Sequence, residues 1–154
     1  MAGFVKTFVG KEYGSGTLNG TVAIKVGAFL NRDLANGYLA IPSGDATGRV
    51  VMVCNEVDHL VPYNVDDSLF EVAGGGLVKF KDVVDAEEVI TDQIGSTFAG
   101  LSVGDELGVG ANGLVYAIAD LTALDFTTFK KTFTIKEKTT LYTRDALVLV
   151  VNVK

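Results

Sequence analysis

The chain has no tryptophan, a single histidine (His59), a single cysteine (Cys54) and only two prolines. One cysteine cannot form a disulfide within the chain. With one histidine beside it, it cannot assemble a structural zinc site of four cysteines, or of two cysteines and two histidines. No apolar run approaches the ~18 residues that a membrane-spanning helix needs. The opening Met1-Ala2-Gly3-Phe4-Val5-Lys6 lacks a basic region followed by a hydrophobic stretch, so it does not read as a secretory signal. The common nucleophile patterns are missing too, since no serine sits in a Gly-x-Ser-x-Gly context. These absences point away from an enzyme and toward a structural or binding role with no cofactor.

What is present is glycine, 18 residues in 154, where average usage gives roughly eleven. There is no Gly-X-Y period, which excludes collagen. The excess implies many tight turns and a β-rich chain. Apolar residues make up 48% of the total and charged residues 21%, so disorder and a coiled coil are excluded for the chain as a whole.

The net charge of −6 is unevenly spread. Residues 1–32 carry Lys6, Lys11, Lys25 and Arg32 against Glu12, a balance of +3. Residues 33–125 carry sixteen acids against Arg49, Lys79 and Lys81, a balance of −13. Residues 126–154 carry Lys130, Lys131, Lys136, Lys138, Arg144 and Lys154 against Glu137 and Asp145, a balance of +4. Such a pattern either draws the ends onto the centre of the same molecule or makes complementary patches between copies. The acidic majority repels phosphate, so nucleic acid is not an expected partner.

Phe4 to Val9 is a short β-prone run, and Gly10 to Gly20, with four glycines, reads as a loop or arm. Residues 1–20 are therefore read as an N-terminal strand or arm with a glycine-rich loop. Residues 21–154 read as one β-rich domain, with two small lobes as the alternative. Val22, Ile24 and Val26 alternate, and Asn36-Gly37 signals a turn before Tyr38. Arg49 to Cys54 is a nearly continuous apolar run (Val50, Val51, Met52, Val53), which suits a strand buried on both faces. The Gly74-Gly75-Gly76 triplet reads as a hairpin tip or a close approach to another backbone, without the spacing of a phosphate loop. Asp82 to Ile94 is the one respectable helix candidate, although its β-branched content favours strand as well.

Asn112-Gly113 between two apolar runs is the sharpest local signal, because both residue types tolerate the positive φ of a type I′ turn. Phe129, Lys131, Phe133 and Ile135 share one face of a later strand. Its lysines suit an edge guarded against aggregation. Ala146 to Val153 reads as a central strand, pairing with the 128–136 strand, with Phe4–Val9, or with both. The total is nine to eleven strands in a barrel or sandwich, with at most one or two short helices. Among possible sites, Glu56, Asp58 and His59 alternate across a strand and make a poor metal set. Asp66-Asp67 and Glu87-Glu88 are adjacent acids whose side chains should diverge, and Cys54 reads as a core thiol.

The stretch from Phe70 through the glycine triplet, Phe80-Lys81, Ile90-Thr91-Asp92, Val103-Gly104-Asp105-Glu106-Leu107 and Gly110-Ala111-Asn112-Gly113-Leu114 resembles small β-rich virion proteins of tailed bacteriophages, the capsid decoration or cement proteins. The resemblance covers roughly residues 70–118. It implies attachment to the outside of an assembled capsid after synthesis in the host cytoplasm, the major capsid protein and neighbouring copies as partners, and no catalysis. A tail-tube or head–tail joining protein and a non-viral β-barrel ligand-binding module are the alternatives. A cement protein works by many weak contacts multiplied by symmetry, and arms that reach neighbours serve that end. If the N-terminal segment is such an arm, Phe4 and Phe8 are its anchors, and Lys6 and Lys11 its steering charges.

Overall fold

The computed structural model describes residues 13–54, 71–141 and 143–154. The chain is mainly β. Twelve strands are found among the described residues. Helix is confined there to three single 3₁₀ turns, at Phe98–Gly100, Ala111–Gly113 and Ile118–Asp120.

Five strands close a barrel. They are β1 (Tyr13–Leu18), β3 (Phe29–Asp33), β4 (Tyr38–Ala40), β5 (Val50–Val53) and β7 (Leu77–Lys81), in the spatial order β1-β4-β3-β5-β7. β1 runs antiparallel to β7 and parallel to β4, and the remaining pairs are antiparallel. A two-stranded ribbon, β2 (Ile24–Lys25) with β6 (Glu71–Val72), accompanies the barrel. The second sheet has the order β10-β9-β11-β12-β8. Its strands are β8 (Glu88–Thr91), β9 (Glu106–Val109), β10 (Val115–Ala117), β11 (Lys131–Leu141) and β12 (Arg144–Val153).

Two apolar cores result. The barrel holds Leu18, Ile24, Ala28, Leu30, Leu39, Val51, Val53, Val78 and Phe80. The sheet holds Leu107, Val109, Val115, Phe133, Ile135, Leu147, Leu149 and Val151, with Val83 and Leu101 from its loops. The wall between them is β3 and β5. Side chains alternate along a strand, so Leu30, Val51 and Val53 enter the barrel while Phe29, Val50 and Met52 pack on the sheet core. The expected burial of the Val50–Val53 run on both faces is thus met. The rings of Phe29 and Phe133 lie 4.9 Å apart, tilted by 49°, and join wall to sheet.

The segment Gly10 to Gly20, expected as a loop, is a barrel strand from Tyr13 to Leu18. Glycine weakens a strand in isolation, but here it makes room for a neighbour. Gly14 pairs with Phe80, and a Cβ at Gly14 would sit 2.6 Å from Phe80 Cζ. The aromatic ring covers the bare backbone and supplies the packing that glycine lacks. The helix expected over Asp82 to Ile94 is also overturned. Ala86 takes φ +65° in a turn, and Glu88–Thr91 then pairs with β12. The β-branched Val89, Ile90 and Thr91 decide the outcome once a strand partner exists. Of the run Thr21 to Val26, only Ile24–Lys25 is strand, and Val22 is exposed.

β12 is central, as its sequence implies, between β11 and β8. β11 is not an edge, since it lies between β9 and β12. Its Lys131 is buried, so the guarded-edge reading of that lysine fails. Asn112 and Gly113 adopt φ +62° and +74°, both positive, and join β9 to β10. A Cβ at Gly113 would meet the Phe29 carbonyl at 2.2 Å, so the turn also presses against the wall strand. The glycine triplet meets one of its two readings, the close approach to another backbone; it is a turn but not a hairpin tip, since β6 pairs with β2 and β7 with β1 and β5. Gly75 has φ +79° in the turn before β7, and a Cβ at Gly74 would lie 2.4 Å from the Thr21 backbone.

Candidate functional site

Phe4, Lys6, Phe8 and Lys11, the sequence-derived partner-binding residues, lie outside the described residues. So do His59, Glu56, Asp58, Asp66 and Asp67. Cys54 directly follows the wall strand β5, half-buried rather than deep in a core, and its N–H donates to the Lys79 carbonyl at 2.9 Å. Glu87 and Glu88 do diverge. Glu87 pairs with Lys81 and accepts the Val84 N–H at 3.0 Å, while Glu88 pairs with Lys136 at 2.5 Å. Among the described residues, no three His, Cys, Asp or Glu side chains gather as metal ligands. Among them, too, no helix is long and apolar enough to cross a membrane.

The C-terminal bases fold back onto the acidic middle. Arg144 Nε donates to Asp92 at 2.7 Å, Lys136 to Glu88, Lys154 approaches Glu106 at 3.1 Å, and Lys131 pairs with Asp82. Lys138 donates to the Phe98 and Leu101 carbonyls at 2.9 and 2.8 Å and stands over the Phe98 ring. At this end the charge segregation is resolved within one molecule.

A cleft of about 470 Å³ opens where the barrel wall meets the ends of β11 and β12. Val84 and Val153 supply its apolar surface over the buried Val83, and Arg49, Lys130, Lys131 and Lys154 its cations, with Asp82 and Asp85 beside them. Asp82 is the organising group. It accepts from Arg49 at 2.7 Å and from Lys131, which also donates to the Val50 carbonyl at 3.1 Å. Partial burial works to raise the Asp82 carboxyl, but the Lys131 ammonium and Arg49 guanidinium outweigh it and hold the group below its ordinary value. Four cations against Asp82 and Asp85 leave the lining with a cationic excess, although Lys154 shares its charge with Glu106 and Arg49 and Lys131 share theirs with Asp82.

Next to this cleft runs the loop from Asp120 to Thr127. Lys154, which lines the cleft, donates to the Phe126 carbonyl at 3.1 Å. The loop is fastened on both sides. Ser96 donates to Asp120 at 2.5 Å, and the Asp45 carboxylate accepts the Thr122 and Ala123 N–H groups at 3.0 and 2.6 Å. Asp125 accepts both the N–H and the hydroxyl of Thr127, which lowers its carboxyl below the usual range, the hydroxyl contributing most. Leu124, between these fastenings, is 97% exposed.

A smaller pocket of about 210 Å³ sits at the barrel mouth. There Arg32 lies over the Phe80 ring at 5.1 Å, two residues beyond the barrel-facing Leu30.

Sequence reading missed the cleft and the loop. The excess of bases after residue 126 was the available signal for the first. Nothing in the sequence singles out Leu124, because its exposure depends on the Asp45 carboxylate reaching across from a distant turn. The chain matches no protein-family model, and no curated protein shows significant similarity to it.

Proposed function

We propose that this protein is a structural component of a tailed-bacteriophage virion that binds the outside of the assembled capsid and stabilises it, acting as an oligomer on the major capsid protein. The observation that carries the reading is the closure of the barrel. All five strands of its ring lie among the described residues and each has both neighbours there, so the ring needs no strand from residues 1–12. Phe4, Lys6, Phe8 and Lys11 all come before its first described strand in sequence, where an arm for a neighbouring subunit would start. Such an arm adds backbone hydrogen bonds to a neighbour's sheet and needs few specific side chains.

The hairpin that carries the resemblance supports the same reading. Asp105 accepts the Ser102 N–H at 2.8 Å, Gly104 has φ +95°, and Asn112-Gly113 turns the chain from β9 into β10. Each of these residues holds up the scaffold, which suits a protein that works by rigidity.

The test is co-sedimentation of the purified protein with undecorated tailed-phage capsids. Wild-type protein is expected to pellet with the capsids. A variant lacking residues 1–11 should lose at least ~10-fold in apparent affinity with an unchanged circular dichroism spectrum. Absence of capsid binding by the intact protein overturns the reading, and rings or tubes in negative stain would replace it with a tail role.

A further inference from the structure

We propose that the Asp120–Thr127 loop of one copy docks into the Val83–Val84–Val153 cleft of a second copy of this chain, with Leu124 as the inserted side chain. This rests on the oligomeric part of the reading above and names the surface responsible.

Three observations carry it. The first is that Leu124 is held out of the protein rather than left loose. The residues before it are bonded to Asp45, and those after it are fixed by the Asp125–Thr127 turn. The Phe126 ring also packs edge-on against Phe129 at 5.5 Å. An apolar side chain on a fastened loop has little ordering entropy left to lose on binding, the property of an interface anchor.

The second is complementarity. Leu124 is flanked by Asp120 and Asp125, an acid–apolar–acid arrangement. The cleft offers half-exposed Val84 and Val153 among Arg49, Lys130, Lys131 and Lys154, which outnumber its two acids, Asp82 and Asp85, even though Arg49 and Lys154 also pair within their own chain. A chain of net charge −6 repels its own copies at long range, so a cationic rim meeting an acidic loop is what a self-contact requires.

The third is adjacency. Lys154 belongs to the cleft and also touches Phe126 of the loop. Loop and cleft therefore form one continuous patch, each half matching the other. Such a patch is self-complementary about a two-fold axis, where each loop enters the other copy's cleft.

The experiment uses the full chain in a Cys54→Ala background. Leu124→Cys and Val84→Cys are made as separate proteins, mixed in equal amounts and mildly oxidised. The mixed disulfide is expected to exceed its statistical share over the two homodimers. In parallel, sedimentation of the unmodified protein at micromolar concentration should show a dimer. Leu124→Asp should weaken that dimer at least ~10-fold with no change in fold, since the side chain touches solvent. A monomer at every concentration, or a dimer indifferent to Leu124→Asp, overturns the proposal. A monomer whose Leu124→Asp variant stops binding capsids also overturns it and assigns the loop to the capsid instead. No capsid enters the cross-linking assay, so its failure and that of the capsid reading are separable.

Discussion

The barrel and the C-terminal sheet reach a buried core by different means. The sheet relies on length. β11 and β12 span 11 and 10 residues, and their alternating apolar side chains pair over almost the whole run. The barrel's strands have at most six residues, and β1 reads Tyr-Gly-Ser-Gly-Thr-Leu. Closure replaces length there. Every strand has two neighbours, no edge is left unpaired, and Phe80 fills the space above Gly14. A strand can thus be specified by its own pattern, or by the vacancy it leaves for its neighbours.

The largest expected effect tests whether the two regions are independent. Phe133→Ala empties the centre of the sheet core and removes the ring that meets Phe29. It should cost about 4 kcal/mol in urea unfolding. Because β3 and β5 serve both cores, amide exchange at Leu18 and Val78 in the barrel should accelerate along with that in the sheet. Unchanged barrel protection would show two separately folding lobes.

Lys131→Met comes next, at about 3 kcal/mol, because it strips the part-buried carboxylate of Asp82 of one partner while Arg49 remains. The pH dependence gives its sign. Asp82 is held below its unfolded value, so its contribution is present above about pH 4 and fades as pH falls through the lower folded value. In the variant that support is smaller at neutral pH, and the acid-side decline should be shallower in pH-resolved thermal melts.

Gly14→Ala should cost about 2 kcal/mol by pushing on the Phe80 ring. A second change, Phe80→Leu, should remove at least half of that penalty in a double-mutant cycle. Without coupling, the glycine would be serving some other purpose and the barrel side of the comparison would fail. At the small end, Lys136→Ala breaks an ion pair in which both side chains are about half exposed. It should change stability by no more than about 0.5 kcal/mol in the same urea assay.

What was legible in the sequence follows the same division. β12, the Phe129–Ile135 face and the Asn112-Gly113 turn could be read because the information lies in contiguous side chains. β1 and β8 could not. At β1 the decisive group is Phe80, far along the chain, and at β8 the choice between helix and strand waits on β12. The cation-rimmed cleft was foreshadowed only by the basic tail, since Asp82 and Lys131 are 49 positions apart and meet through folding alone. The N-terminal candidates precede the first described strand, so their test is the truncation.

β5 serves two interiors: Val50 and the partly buried Met52 pack on one, Val51 and Val53 on the other. Inserting or deleting one residue there would exchange the occupants of both interiors at a stroke, whereas the same slip in a surface strand spoils only one. Homologous chains should therefore vary freely in the lengths of their turns, yet keep this four-residue stretch at constant spacing, whatever apolar residues they use to fill it.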